Sequence, residues 1–331
     1  MKQLTRREFT SCSSALAISS LIPNLALANT DKLPLSNFGF ATEVDEVVAG
    51  INLQNKTILI TGCNSGLGFE SMRALASRGA HVIGTARNMQ KARIACDSVQ
   101  GNTTPMVCEL TNFDSVIECC DKVISLNKPL DVLMTNAGIM APRQLEQFYG
   151  LEKQFVVNHL SHFLMFKRLL SRLQEAEHSR VVALSSIGYR NAPAEGIQFD
   201  NLNGEKGYKP FTFYGQSKLA NALFARELAR RYKGSNMTAN SVHPGLVATN
   251  LGRYVSGKPK DPNAPLRKGF KTPSQGASSQ VYVAVDARLK DVSGYYFEDC
   301  NPVEPSGPHM LNDDLALKLW ETSEELIRDY V

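Results

Sequence analysis

Tyr214 and Lys218 stand four residues apart at the head of a run whose apolar positions, Leu219, Leu223, Phe224 and Leu228, recur at helical spacing. Four residues make slightly more than one helical turn, so both side chains occupy one face with their polar tips close together. A free phenol titrates near ~10. An ammonium beside its oxygen favours phenolate and draws the group toward neutrality, where it can exchange a proton with a substrate oxygen. The same spacing also suits a packed aromatic beside a solvated lysine, and the choice between the two rests on what else the chain carries.

A second stretch with chemical content runs Thr61, Gly62, Cys63, Asn64, Ser65, Gly66, Leu67, Gly68, between a short apolar run and a segment of helical spacing. That context is the one a dinucleotide loop requires. Gly62 lets the chain turn sharply, Gly66 lets the backbone approach a pyrophosphate, and Gly68 lets the helix lie close to the sheet. The helix then presents unpaired N–H groups to the phosphates. Cys63 is either a small residue that fits the turn or a redox brake on binding. Past the next strand, where an acidic ribose ligand would mark NAD, the chain reads Thr85, Ala86, Arg87. Arg87 can pair with a 2′-phosphate, and the missing carboxylate removes a repulsion, so NADP(H) is expected; the alternative is a solvated surface cation.

The elements that must position these groups follow from periodicity. Strands are expected near 57–61, 81–85, 106–110, 131–136, 180–185, 237–242 and 295–297, and helices over 67–77, from 89, and over 114–124, 152–173, 214–232, 276–286 and 313–330. Such alternation predicts an α/β fold, a doubly wound parallel sheet of Rossmann type covered on both faces, with ligands at the carboxyl ends of the strands. At 331 residues and 43% hydrophobic content, one domain over 53–331 is expected, preceded by a lead-in at 29–52 that packs against it. Residues 250–271, rich in Gly, Pro and Lys, read as a mobile flap.

Composition excludes several classes. The formal charge is only +4, too small to suggest nucleic acid. No internal stretch holds the ~18 unbroken apolar residues of a membrane span. The seven cysteines include no Cys-x-x-Cys pair, and adjacent Cys119 and Cys120 are poor disulfide partners, so buried thiols are expected rather than a zinc site or a disulfide scaffold. His159 and His162 have helical ligand spacing without an evident third ligand, and no metal is expected. At the N-terminus, Arg6 and Arg7 followed by Phe9, an apolar segment over 15–27 and a small-x-small site at Ala26 and Ala28 predict a twin-arginine export signal over 1–28 and a periplasmic protein. The alternatives are a cytoplasmic protein or an uncleaved membrane anchor. That export route carries folded protein, which suits a chain that must bind a nucleotide first.

Thr61 with Gly62, Gly66 and Gly68, then Asn136-Ala137-Gly138, Asn158, Ser186, Tyr214 with Lys218, and Pro244-Gly245 together resemble the short-chain dehydrogenase/reductase family over about residues 55 to 300. The stretches from Asn158 to Phe163, Ser217 to Asn221, His243 to Gly245 and Ser293 to Phe297 look like its retinol dehydrogenase and WW-domain oxidoreductase branch, without a WW domain. The resemblance implies that Asn136, Ala137 and Gly138 turn beside the adenosine half, that Pro244, Gly245 and Val247 border the cofactor, and that Thr249 approaches the nicotinamide amide. Glu109, with Leu110 beside it, stands where an aspartate commonly meets adenine, and Thr135 where a second asparagine is common.

For catalysis, the resemblance implies that Ser186 rather than Ser185 donates a hydrogen bond to the substrate carbonyl. Tyr214 then supplies the proton, Lys218 lowers the phenol's pKa and binds the nicotinamide ribose, and Asn158 holds a water that completes a relay. The expected activity is hydride transfer between NADP(H) and an apolar aldehyde, ketone or alcohol of retinal/retinol-like or general kind. Two other readings fit the same fold: an NADP(H)-binding sensor or regulator, and a reductase of a large ring-containing pigment such as protochlorophyllide. The partners expected are a small apolar carbonyl or alcohol and, at most, a peripheral membrane contact; oligomeric state is left open.

Overall fold

The computed structural model describes residues 33–257, 261 and 265–331. Its core is one eight-stranded sheet built from β1 (Thr57–Ile60), β2 (His81–Ala86), β3 (Asn102–Val107), β4 (Val132–Thr135), β7 (Ser179–Leu184), β8 (Met237–His243), β9 (Tyr296–Glu298) and β10 (Asn301–Pro302). The spatial order is β10-β9-β8-β7-β4-β1-β2-β3. Every pairing is parallel except that of β10 with β9. The chain leaves β1 toward β2 and β3, then crosses back to β4 on the other side. The carboxyl ends of β1 and β4 therefore open a crevice where the winding reverses. A separate hairpin pairs β5 (Gln147–Phe148) with β6 (Leu151–Glu152).

Side chains alternate along each strand, so the sheet feeds two cores. Leu59, Ile83, Leu133 and Val181 face α4 (Phe113–Ser125), α6 (Ser161–Gln174), α7 (Pro210–Arg231) and α10 (Asp313–Leu326). Ile58, Ile60, Val82 and Met134 face α1 (Val44–Val47), α2 (Gly66–Ala76), α3 (Met89–Asp97) and α9 (Pro273–Val285). In the first core, Trp320 of α10 meets Phe163 edge-on at 4.9 Å and lies stacked against Phe224 at 6.1 Å. α6 and α7 are thereby fixed against one another by aromatic packing.

The lead-in docks by hydrogen bonds and apolar contact: Ser36 N donates to Asn301 Oδ1 at 2.8 Å, Val44 N to Ser274 Oγ at 3.2 Å, and Val44, Val47 and Val48 are buried. Several boundaries differ from the sequence expectation. β3 runs over Asn102–Val107 instead of 106–110, because Cys108 onward leads into the loop that Asn112 ends by capping α4. α7 begins at Pro210, whose fixed φ and missing N–H suit a first helical turn. The helix expected over 152–173 is three pieces: α5 (Lys153–Phe155), a π-turn over Val156–Leu160, and α6. The expected flap opens with a 3-10 turn at Asn250–Gly252 and α8 (Arg253–Ser256), and part of it lies outside the described residues. The expected export signal, residues 1–28, also lies outside them. Among the described residues, no helix is long and apolar enough to cross a membrane.

Candidate active site

α7 carries Tyr214 and Lys218 on its inward face, and two glycines let it lie where it does. A Cβ on Gly215 would come within 2.6 Å of the Ala192 nitrogen, so the helix backbone rests directly on the segment after β7. A Cβ on Gly188 would stand 2.7 Å from the Tyr214 ring. The missing side chain at 188 is the slot that holds the phenol. Ser186, just past the end of β7, caps a short 3-10 turn by accepting from Gly188 N at 3.0 Å, and its hydroxyl lowers the pKa of the neighbouring Tyr214 phenol. Ser185 is turned the other way and donates to the Lys218 carbonyl at 2.7 Å.

The electrostatics differ from the sequence expectation. Burial pushes the Tyr214 phenol up to about 12, an effect the Ser186 hydroxyl only partly offsets. Burial likewise lowers Lys218 to about 8. The reason is positional: the Lys218 ammonium donates to the Leu184 carbonyl at 3.0 Å and sits 5.9 Å from the centre of the Tyr214 ring, so it does not offset the loss of water around the phenol oxygen. The phenol is therefore a protonated hydroxyl at neutral pH, ready to donate.

Asn158 lies on the π-turn, and its amide is occupied by protein. Oδ1 accepts from Ile139 N at 2.8 Å, while Nδ2 donates to Ile139 O at 3.0 Å and to Ser217 Oγ at 2.8 Å. The side chain is a clamp between the loop after β4 and α7, and both amide hydrogens are already committed. The water expected at Asn158 is therefore not one held by these amide hydrogens. Gly138 is the floor between the two groups: a Cβ there would lie 3.1 Å from Asn158 Oδ1 and 3.5 Å from Lys218 Nζ.

At the other end of the crevice, Gly62 (φ 74°) and Gly66 (φ 62°) take left-handed backbone that side chains resist. A Cβ on Gly68 would come within 2.3 Å of the Gly62 carbonyl and 2.5 Å of Asn136 Nδ2. Ser65 precedes α2 in extended conformation and makes no side-chain cap. The first-turn N–H groups of α2 are thus left to the crevice, between exposed Asn64 and Ser65 and half-buried Leu67. Asn136 Nδ2 donates to the Thr61 carbonyl at 2.7 Å, and Ala137 N donates to Thr61 Oγ1 at 2.9 Å. Cys63 is buried with its thiol on the Ile60 carbonyl, and burial raises its pKa. It is inaccessible as a redox brake in this arrangement.

Arg87 is exposed at the rim. Lys91 stands one turn further on, in the first turn of α3, which Asn88 caps. Glu109 Oε1 accepts from the Thr111 amide at 3.1 Å and hydroxyl at 3.0 Å, and Glu109 and Leu110 line the crevice together. Beyond β8, Pro244 and Gly245 lead to Val247, which bridges to Lys271. Thr249 follows, its methyl lying 3.3 Å from where a Gly66 side chain would begin. Thr249 therefore closes over the glycine turn.

All of the expected site residues except Asn158, which is buried behind Gly138, line one crevice of about 1100 Å³. The crevice also takes in residues the sequence reading passed over: Lys91, Met140, Phe211 and Leu246. Lys91 lies in the first turn of α3 and Phe211 in the first turn of α7, which begins four residues before the expected start, so spacing from Tyr214 pointed to Phe211 only once that start was known. His159 and His162 bind protein groups, Ser323 Oγ at 2.9 Å and Thr61 Oγ1 at 2.9 Å. Among the described residues no cluster of three or more His, Cys, Asp or Glu is arranged to hold a metal ion.

Comparison with known proteins agrees with this geometry. The short chain dehydrogenase pattern matches residues 56–260. The chain is 38% identical to the short-chain dehydrogenase TIC 32 A of Brassica napus, a chloroplastic protein, over 90% of this chain and 97% of the other. It is also 38% identical to human retinol dehydrogenase 14, over 83% and 87%. A solved structure of an uncharacterized protein from Mycobacterium paratuberculosis superposes with a TM-score of 0.69 at 31% identity, covering 85% of this chain and 97% of that one. The chain belongs to the short-chain dehydrogenase family, as an oxidoreductase of Rossmann fold akin to the retinol dehydrogenases.

Proposed function

We propose that this protein reduces apolar aldehydes and ketones, and oxidises the matching alcohols, with NADP(H). The observation that carries the reading is the Tyr214–Ser186 hydroxyl pair in the same crevice as the glycine cradle. The fit to a dinucleotide rests on that cradle: Gly62 and Gly66 take the left-handed backbone of a tight turn, and the uncapped start of α2 supplies N–H donors. Gly62, Gly66, Asn136 and Thr249 would hold the phosphates and the turn beneath them, and Lys218 the nicotinamide ribose. When bound, the nicotinamide supplies the hydride. Ser186 donates to the carbonyl oxygen and steadies the charge that develops there. Tyr214, kept protonated by burial, gives its proton to the same oxygen. Lys218 supplies a positive charge to the site, with its ammonium 5.9 Å from the centre of the Tyr214 ring. Met140, Phe211 and Leu246 give the substrate end an apolar wall, with Phe211 49% and Leu246 54% exposed in the crevice mouth.

Preference for the 2′-phosphorylated cofactor is assigned to Arg87, with Lys91 beside it. Arg87→Ala is expected to weaken NADPH by roughly ten- to a hundredfold, the worth of a charge-assisted contact, while changing NADH by less than about threefold. Paired titrations of the two cofactors check it, and equal losses for both would remove Arg87 from this role.

The pH response has two signs. Lys218 is cationic below about 8 and Tyr214 protonated up to about 12, so kcat/KM for carbonyl reduction is expected to fall as pH rises through about 8. Stability responds the other way. The Lys218 pKa is about 8 folded against 10.5 for an unburied lysine, so in that window the unfolded chain binds the extra proton and this group's contribution to stability rises with pH. A pH-rate profile beside urea unfolding at the same pH values separates the two. A rate that climbs through this window would contradict the assignment.

We assign residues 1–28 as a twin-arginine export signal on the strength of Arg6, Arg7, Phe9 and the Ala26 and Ala28 site. N-terminal sequencing of protein from the periplasmic fraction is expected to begin at Asn29. A purely cytosolic protein would contradict export.

A further inference from the structure

His162 lies between the two halves of the site and touches both. Its Nδ1 is 3.0 Å from the Asn158 main-chain oxygen on the π-turn, and its Nε2 is 2.9 Å from Thr61 Oγ1 at the end of β1. The ring is 2% exposed. Burial, with the Lys218 ammonium nearby, lowers its pKa to about 4, so it is neutral at working pH. The tautomer then follows. A carbonyl oxygen can only accept, so Nδ1 carries the hydrogen; Nε2 of a neutral ring has none left and accepts from the Thr61 hydroxyl. Thr61 Oγ1 in turn accepts the Ala137 N–H at 2.9 Å, and the Thr61 carbonyl accepts from Asn136. Every polar atom in this buried chain is satisfied in one direction only.

We propose that His162 is a positioning residue that fixes the glycine turn and the Asn158 clamp in mutual register. The one ring sets the rotor of Thr61, the residue before Gly62, and anchors the main chain of Asn158 where the helix is widened. Asn158 lies within the π-turn, and its carbonyl is within reach of a ring four residues on. A neighbouring histidine ties the same turn to another element, with His159 Nε2 2.9 Å from Ser323 Oγ of α10.

The inference rests on the nucleotide reading of the crevice, and its test keeps the two apart. Full-length protein and the variants His162→Phe, His162→Asn and Thr61→Val are titrated with NADPH by fluorescence and assayed for turnover of all-trans-retinal, with Tm measured for each. His162→Phe keeps ring volume but loses both bonds; NADPH Kd is expected to rise and kcat to fall, each by about tenfold, the effect of leaving buried polar partners unsatisfied. His162→Asn places an N–H near the former Nδ1 position and reaches no further. It is expected to restore kcat to within about threefold while keeping the raised Kd, which Thr61→Val should equal or exceed, because it also strips the acceptor of the Ala137 N–H. In the double variant Thr61→Val with His162→Asn, the Kd losses should not add. Nitrogen NMR of the unaltered chain should show His162 with hydrogen on Nδ1. An Nε2–H ring, or variants that lower Tm while leaving Kd and kcat unchanged, would overturn the inference. If the unaltered protein fails to bind NADPH, the proposed function falls with it; normal binding with an indifferent His162 sinks the inference alone.

Discussion

Tyr214→Phe is expected to lower carbonyl turnover by about a hundred- to ten-thousandfold, the range for loss of a positioned general acid, with NADPH affinity changed by less than about threefold. The separation follows from the packing. The ring is seated by the gap at Gly188 and by burial to 5% exposure, and phenylalanine fills the same slot. Only the hydroxyl is removed, and with it the proton and the group that faces Ser186. The Tyr214 carbonyl still accepts from Ser217 Oγ at 2.8 Å, so Asn158, which bonds the same serine, keeps its clamp. Turnover and a fluorescence titration on the same preparation check both halves. Undiminished turnover would remove Tyr214 from the chemistry, and lost binding would mean that the phenol is structural.

Gly68→Ala is expected to have the largest effect on cofactor affinity. Its Cβ would come within 2.3 Å of the Gly62 carbonyl and 3.0 Å of the carbonyl carbon, both backbone atoms of the phosphate turn, and 2.5 Å from the Asn136 amide that ties that turn to the loop after β4. No rotamer relieves a backbone collision. α2 must move off the turn, and overpacking of this kind destabilises by about 1 to 3 kcal/mol. We expect NADPH Kd to rise by at least about a hundredfold, because displaced N–H donors lose their aim at the phosphates, and Tm to fall by several degrees at most for a chain of this size. Gly39→Ala is the control, since a Cβ there meets nothing within 4 Å. Binding in Gly68→Ala equal to that of Gly39→Ala would remove the glycine turn from the account.

Much of this was legible in the residues. Alternation of short apolar runs with helical spacing located the parallel strands except β3, whose polar sequence left only its end legible, because strands buried on both faces are mostly apolar. Glycines that punctuate a strand-to-helix junction have few purposes, and Gly62, Gly66 and Gly68 occupy the positions that junction needs. Tyr214 and Lys218 fall on one face because helical geometry allows nothing else.

What the sequence concealed are properties that arise only on packing. A π-turn adds one residue to a helical turn without changing composition, so Val156–Leu160 read as part of one continuous helix. The sign of the Tyr214 shift depends on how deeply the phenol is buried and where the lysine tip comes to rest, and neither is encoded in a spacing of four. β10 is two residues long and antiparallel, below any periodic signal. His159 and His162 invited a metal reading from their spacing, yet each faces a hydroxyl supplied by a distant element, Ser323 and Thr61.

The central claim is that a carbonyl held by Ser186 and Tyr214 receives hydride from a nicotinamide seated over the glycine turn. The measurement that tests it most directly is transfer of label from NADPH deuterated at C4 to a panel of apolar aldehydes and ketones, with full-length protein and mass analysis of the alcohols formed. The account predicts one deuterium on the carbinol carbon of at least one product, formed by the native chain and absent with Tyr214→Phe. Tight NADPH binding without label in any alcohol, or the same label from Tyr214→Phe, would contradict it.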